Sequence, residues 1–287
     1  DNIGDHTIYK LAKRSMAAGE IMLDKAIIYN NVAQNRSMKS KFYYDAINFG
    51  ENILDVSEKL DKIELDVNFT SSIFATITCM TNTNYSPDKI KKFFERSHLL
   101  FKKQSAEPQY TLKLYNLFTD AIIHDFSNYY SEDIIDDTLN KIVDLIKIVD
   151  ESEHPTEVLY GELSLLRLNE QKMNEKNLEV LYHKAINISS EKNLWFQKRL
   201  ISEILEELTK LIPHDIPSKK LNDYIEKCIE LKKEIDDQEG LCQLLIFKAE
   251  YLMKTDNNII DSEKIYLEAE AISKNIGSMD FASDTHS

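Results

Sequence analysis

The sequence predicts an all-α chain built as a right-handed solenoid of about six helical hairpins. Three observations predict it: a shortage of turn formers, a series of helix starts at nearly constant spacing, and apolar residues recurring with the helical period. Only 6 Gly and 5 Pro are spread over 287 residues, so the tight turns of a strand-rich fold have nothing to be made from. An apolar content of 43% over that length is enough for a sizeable core.

The helix starts carry most of the argument. A Ser, Asn or Asp before a helix accepts a hydrogen bond from the free backbone N–H groups of the first turn. In SPDKIKKFFERSHLLF, Ser86 is the cap, Pro87 takes the first helical position, where its missing N–H costs nothing, and Asp88 favours the positive end of the dipole. Comparable starts stand at Ser37, Ser131, Asn174, Ser218 and Asp261, so the six are 49, 45, 43, 44 and 43 residues apart. Each is followed by a small or modest side chain among apolar ones: Ala46, Ser97, Ile142, Ala185, Cys228 and Ala269, a spacing of 41–51 residues. Four of these have an aromatic ring three residues earlier, at Tyr43, Phe94, Tyr182 and Tyr266, so that a neighbouring helix can approach closely beside a filled gap.

Between these helices the 3.6-residue apolar period predicts others over 20–34, 61–81, 107–127, 155–170, 194–211 and 238–254. A hairpin of two such helices cannot bury both faces alone, whereas a stack of six makes one continuous core. The expected organisation is a single domain over 1–287 with the first helix of each hairpin on the concave side. An irregular helical bundle is the alternative.

The phrases YYDAINF, YHKAINI and YLEAEAI resemble the second helix of tetratricopeptide repeats, in a long form with about ten residues more per unit than the usual 34. The resemblance covers roughly residues 8–277. Ser97, Ile142 and Cys228 stand where that family has alanine, and its first-helix Trp-x-x-Leu-Gly signature is absent. Long degenerate repeats of this kind are similar to those of bacterial regulators, both ligand-sensing activators and peptide-pheromone receptors. The resemblance therefore implies a sensing or protein-interaction module, the regulatory domain of a transcriptional regulator. It also leaves room for a DNA-binding or nucleotide-binding effector domain upstream of Asp1, since the chain does not begin with Met. The alternatives are a peptide-regulated, phosphatase-like modulator of a response regulator and a pure protein scaffold.

Charge narrows the partners. Thirty-five basic against 49 acidic residues give a formal net charge of −14, which repels phosphate backbones and anionic lipid, so direct nucleic-acid binding and membrane association are not expected. Cys79, Cys228 and Cys242 form no C-x-x-C pair and fall among apolar helical residues, as reduced core cysteines of a cytoplasmic protein do. No apolar run approaches the ~18 residues that span a bilayer. A homodimer is compatible with this composition.

Enzyme chemistry finds little support. No H-E-x-x-H, G-x-S-x-G or glycine-rich phosphate loop is present, so no catalytic residue, no metal and no cofactor is expected. Asp120 and His124 are four apart on one helix, a spacing that one metal ion or one proton-transfer site can share, but no third ligand is within sequence reach. The acidic runs at 131–137 and 206–208 read as solvated helix faces, and the aromatic clusters at 42–44 and 93–94 as core.

The candidate binding residues come from subtraction. On 61–81 two apolar faces leave Asn68, Ser71, Ser72 and Ala75; on 107–127 they leave Lys113, Asn116, Asp120 and His124; on 155–170, Tyr160, Ser164 and Arg167; then follow Lys198, Ser202 and Gln243. A first helix that keeps a small polar third face is what a concave wall requires. Asn and Gln can bond both groups of an extended backbone. The expected groove is thus Asn68, Ser72, Asn116, Asp120, His124, Tyr160, Ser164, Arg167 and Gln243, holding a peptide, a protein segment or a small molecule. Arg167 is suited to a ligand carboxylate, which its guanidinium matches in a bidentate fork.

Overall fold

The computed structural model describes residues 5–60, 65–83, 85–123, 129–169, 171–188, 194–214, 216–256 and 258–276. The helices expected over 155–170, 194–211 and 238–254 form within three residues of those bounds, whereas 20–34 is shifted to 23–39 and 61–81 begins as a helix only at Val67. Residues 61–64 and 124–127 of the expected helices lie outside the described residues. Among the described residues every regular element is helical and no strand occurs. After α1 (Asp5–Ala17) and a 3-10 turn (Gly19–Met22) come α2 (Leu23–Lys39), α3 (Tyr43–Ser57), α4 (Val67–Asn82), α5 (Pro87–Lys103), α6 (Pro108–Ile123), α7 (Glu132–Ile148) and α8 (Pro155–Arg167). Then follow α9 (Glu175–Ile186), α10 (Leu194–Leu211), α11 (Lys219–Glu234), α12 (Gln238–Asp256) and α13 (Ile259–Ile276). Helix α1 was not foreseen.

The second helices α3, α5, α7, α9, α11 and α13 start 44, 45, 43, 44 and 40 residues apart. All six small positions, Ala46, Ser97, Ile142, Ala185, Cys228 and Ala269, are 0% exposed. One fully buried position thus recurs in each second helix, an arrangement compatible with a helical repeat.

Four of the six caps hold their position. Ser86, Ser131, Asn174 and Ser218 immediately precede α5, α7, α9 and α11, and the side chains of Asn174 and Ser218 accept from the N–H groups of Asn177 and Leu221. Asp261 lies inside the first turn of α13, where Asn258 Oδ1 accepts from its N–H at 3.2 Å. Ser37 is a correction. It is fully buried near the end of α2, its hydroxyl bonds Tyr9 Oη at 3.1 Å, and its carbonyl accepts from Phe42 N–H across a turn in which Lys41 has φ 59°. The helix runs on past Ser37 to Lys39, and the hydroxyl is engaged by α1 instead of capping a helix start.

By contact the chain divides into two compact units, Asp1–Leu168 and Asn169–Ser287. In the first, each helix packs on its neighbour in sequence, and α4 on α6, α6 on α8 and α2 on α4 also touch, so the first helices of the hairpins form a layer of their own. Its core runs through Ile47, Ile73, Ile77, Phe101, Leu112 and Phe118, with Phe94 stacked on Phe118 at 4.0 Å. In the second unit α9 to α13 pack consecutively. Side chains also join alternate helices there: Tyr224 of α11 donates to Glu179 of α9 at 3.0 Å, and Lys233 of α11 pairs with Glu268 of α13 at 3.2 Å.

Two sequence readings are overturned by exposure. Phe93 and Phe94 are core, and Tyr43 packs against it, but Phe42 and Tyr44 on either side of Tyr43 are 59% and 62% exposed. The run at 206–208 is not a solvated face, since Glu206 meets a buried lysine. The three cysteines are buried and unpaired, as expected of reduced core residues.

Candidate functional site

The polar stripe of the first helices exists, and it is used between helices. At the α2–α4 seam, Gln34 is fully buried, and its Nε2 donates to Ser72 O at 3.1 Å and to Thr76 Oγ1 at 2.8 Å. Asn31 Nδ2 donates to Asn68 O at 3.0 Å and to Ser72 Oγ. Asn30 extends the network to α3, accepting from Asn52 Nδ2 at 3.1 Å. A buried amide that lost these partners would cost on the order of 1–3 kcal/mol, so the set fixes the register of α2 against α4.

The α6–α8 seam repeats the device with charge. Asn116 Nδ2 donates to Glu157 O at 3.3 Å, and Arg167 NH1 donates to Asp120 Oδ1 at 3.2 Å. The Arg167 side chain is 12% exposed and that of Asp120 33%, so solvent still reaches this pair. Asn116 Oδ1 is buried without a hydrogen-bond partner. Lys113, on the same helix, lies 5.1 Å from the Phe74 ring centroid.

Of the residues expected in a groove, the structure thus brings Asn116, Asp120 and Arg167 together with Glu157, and Asn68 and Ser72 together with α2. Tyr160 is half-buried, Ser164 is buried, and Gln243 is exposed on α12 in the second unit. His124 lies outside the described residues. Sequence reading missed Asn31, Gln34 and Thr76. For the first two the signal was present: Asn30, Asn31 and Gln34 fall at helical spacing within the 20–34 segment read as a first helix.

Among the described residues, the most buried charged side chain lies in the second unit. Lys232, with its side chain 6% exposed, bonds Asp237 Oδ2 at 2.6 Å and pairs with Glu206 Oε1. Burial pulls the Lys232 ammonium down, but the two carboxylates outweigh it and its pKa is raised. Burial raises Glu206 in spite of Lys232. For Asp237, burial is overcome by the attraction and hydrogen bond of Lys232 and by the Gly240 N–H, and its pKa is lowered. Beside them the Cys228 thiol, 3.4 Å from Ser202 Oγ, is pushed up to about 12, chiefly by burial. Among the described residues no three His, Cys, Asp or Glu side chains are placed to hold a metal ion, and no helix is long and apolar enough to cross a membrane.

No protein-family model matches the chain, and no curated protein matches it in sequence.

Proposed function

We propose that the chain is a sensing and interaction module whose first-helix face in the Asp1–Leu168 unit takes a peptide, a protein segment or a small carboxylate ligand. The observation that carries this reading is the Asp120–Arg167 pair, solvent-reachable and set beside a buried Asn116 carbonyl that lacks a partner. Arg167 can exchange its bond to Asp120 for one to a ligand carboxylate at small net cost, because one charge-assisted bond replaces another. Such an exchange breaks one of the two polar links described between α6 and α8, so binding is coupled to how the first helices pack. In the regulator reading drawn from the repeat resemblance, an attached effector responds to that repacking in a cytoplasmic transcriptional regulator.

The test is a thermal-shift screen of carboxylate-bearing peptides and metabolites, followed by titration of any hit against three variants. Arg167→Ala should cost about 2–3 kcal/mol of binding and Asn116→Ala about 1. Asp120→Ala should tighten binding, because the ligand no longer competes with Asp120 for Arg167. If all three variants fold and bind the hit as the parent does, the face is not the binding site.

A further inference from the structure

Three consecutive large apolar residues open α10, and all three are substantially in water: Leu194 is 52% exposed, Trp195 46% and Phe196 40%. Scattered exposed hydrophobics are ordinary, but a contiguous Leu-Trp-Phe surface is not. The two rings meet edge to face, with centroids 5.1 Å apart. The indole is also anchored, its Nε1–H donating to Ile235 O at 3.3 Å. With its one polar atom occupied, the rest of the ring offers π-face and hydrocarbon on a side chain with little freedom left to lose, which is the profile of an interface anchor.

That same hydrogen bond puts the rings at the carboxyl end of α11, where the helix dipole is negative. Glu234 ends α11, Asp236 follows in the turn, and Glu239 opens α12. Glu234 is paired with Lys198 at 2.9 Å, while Asp236 and Glu239 are exposed. The Arg199 guanidinium lies 5.8 Å from the Trp195 centroid, so the ring already accepts a cation within the chain.

We propose that the Leu194–Phe196 surface docks a partner-protein segment in which a hydrophobic side chain stands next to Lys or Arg. The apolar residue covers the rings, and the cation meets the carboxylates and the α11 terminus. A second copy of this chain is a poor occupant, because two such ends carry the same sign, and anionic lipid is repelled for the same reason. This surface is separate from the Asp120–Arg167 site and does not depend on it.

Trp195 is the chain's single tryptophan, so its emission reads the site directly. The probes are two short peptides with the same leucines, one carrying lysines and the other glutamates. The Lys/Leu peptide should shift or quench the emission, with affinity falling about tenfold or more between ~50 mM and ~500 mM salt. Phe196→Ala and Glu239→Lys should each weaken it about tenfold or more. Asp223→Lys, an equal change of charge at the opposite end of α11, should leave it unaltered. Equal response to both peptides, no response to either, or equal loss in Asp223→Lys overturns the proposal. So does an emission change that follows protein concentration without peptide, since the occupant is then a second copy.

Discussion

The two units solve the same packing problem with different chemistry. In the first, Gly50 of α3 lets Gln34 and Thr76 close on one another: a Cβ there would collide with Thr76 Oγ1 and stand 2.8 Å from Gln34 Nε2. In the second, Gly240 of α12 lets Lys232 and Asp237 close in the same way. One junction is neutral, made of amides and hydroxyls, and the other is ionic. A neutral junction should ignore pH and resist any added atom, because Thr76 is short and cannot swing aside. An ionic junction should yield to pH, and it can give way sterically, because Lys232 is long.

Breaking the ionic junction has the largest expected effect. Lys232→Met leaves Glu206 and Asp237 without their cation. Partial exposure of the two carboxylates, 30% and 37%, puts the loss at the low end for a broken buried pair, about 3 kcal/mol near neutral pH. Urea unfolding followed by Trp195 emission reads this unit, and the loss should shrink as the carboxylates protonate. A cost independent of pH would mean that packing, not charge, holds the junction.

Next comes Gly50→Ala, at about 2 kcal/mol and the same at every pH, from overpacking against side chains with no room. Hydrogen exchange along α2–α4 would show it. Gly240→Ala should cost less, about 1 kcal/mol, and more at neutral than at acid pH, because Lys232 can swing away only by loosening its pairs. Equal costs at the two glycines would remove the contrast.

Glu206→Gln sharpens the comparison by linkage. The raised pKa of Glu206 means that the native state holds this proton more tightly than the unfolded chain does. Its contribution to stability is full below the ordinary value of 4.5 and is lost as pH rises through the raised one. Asp237, lowered from 3.8, does the reverse, contributing above its ordinary value and losing that as pH falls through the depressed one. The parent's stability should therefore rise as pH falls toward the ordinary glutamate value before it drops, whereas Glu206→Gln should only drop. Denaturant midpoints across pH ~3 to ~8 decide it.

The smallest effects belong to the turns. Lys41 and Asp236 hold φ 59° and 57°, conformations that glycine adopts freely. Lys41→Gly should stabilise the first unit by about 1 kcal/mol. Asp236→Gly should add about half as much to the second, because the Asp236 carboxylate accepts from Gln238 Nε2 at 2.7 Å and that bond is lost. Melting temperatures would rank them.

What the sequence determined by itself was local or periodic. Helix class, the boundaries of most helices and the buried small or modest residue of each second helix follow from backbone capping and the 3.6-residue period, which act within a few turns. Ser86, Ser131, Asn174 and Ser218 needed no partner elsewhere to mark a helix start. Ser37 was misread because Tyr9, 28 residues away, engages its hydroxyl and α2 continues through it. Glu206 likewise looked solvated until Lys232, on the next helix, came against it. A polar side chain in a sequence looks the same whether it will meet water, a ligand or another helix. Subtraction could therefore find Asn116, Asp120 and Arg167, but only the tertiary structure could set Asp120 against Arg167 and Asn116 against the Glu157 carbonyl, since each partner lies more than 40 residues away.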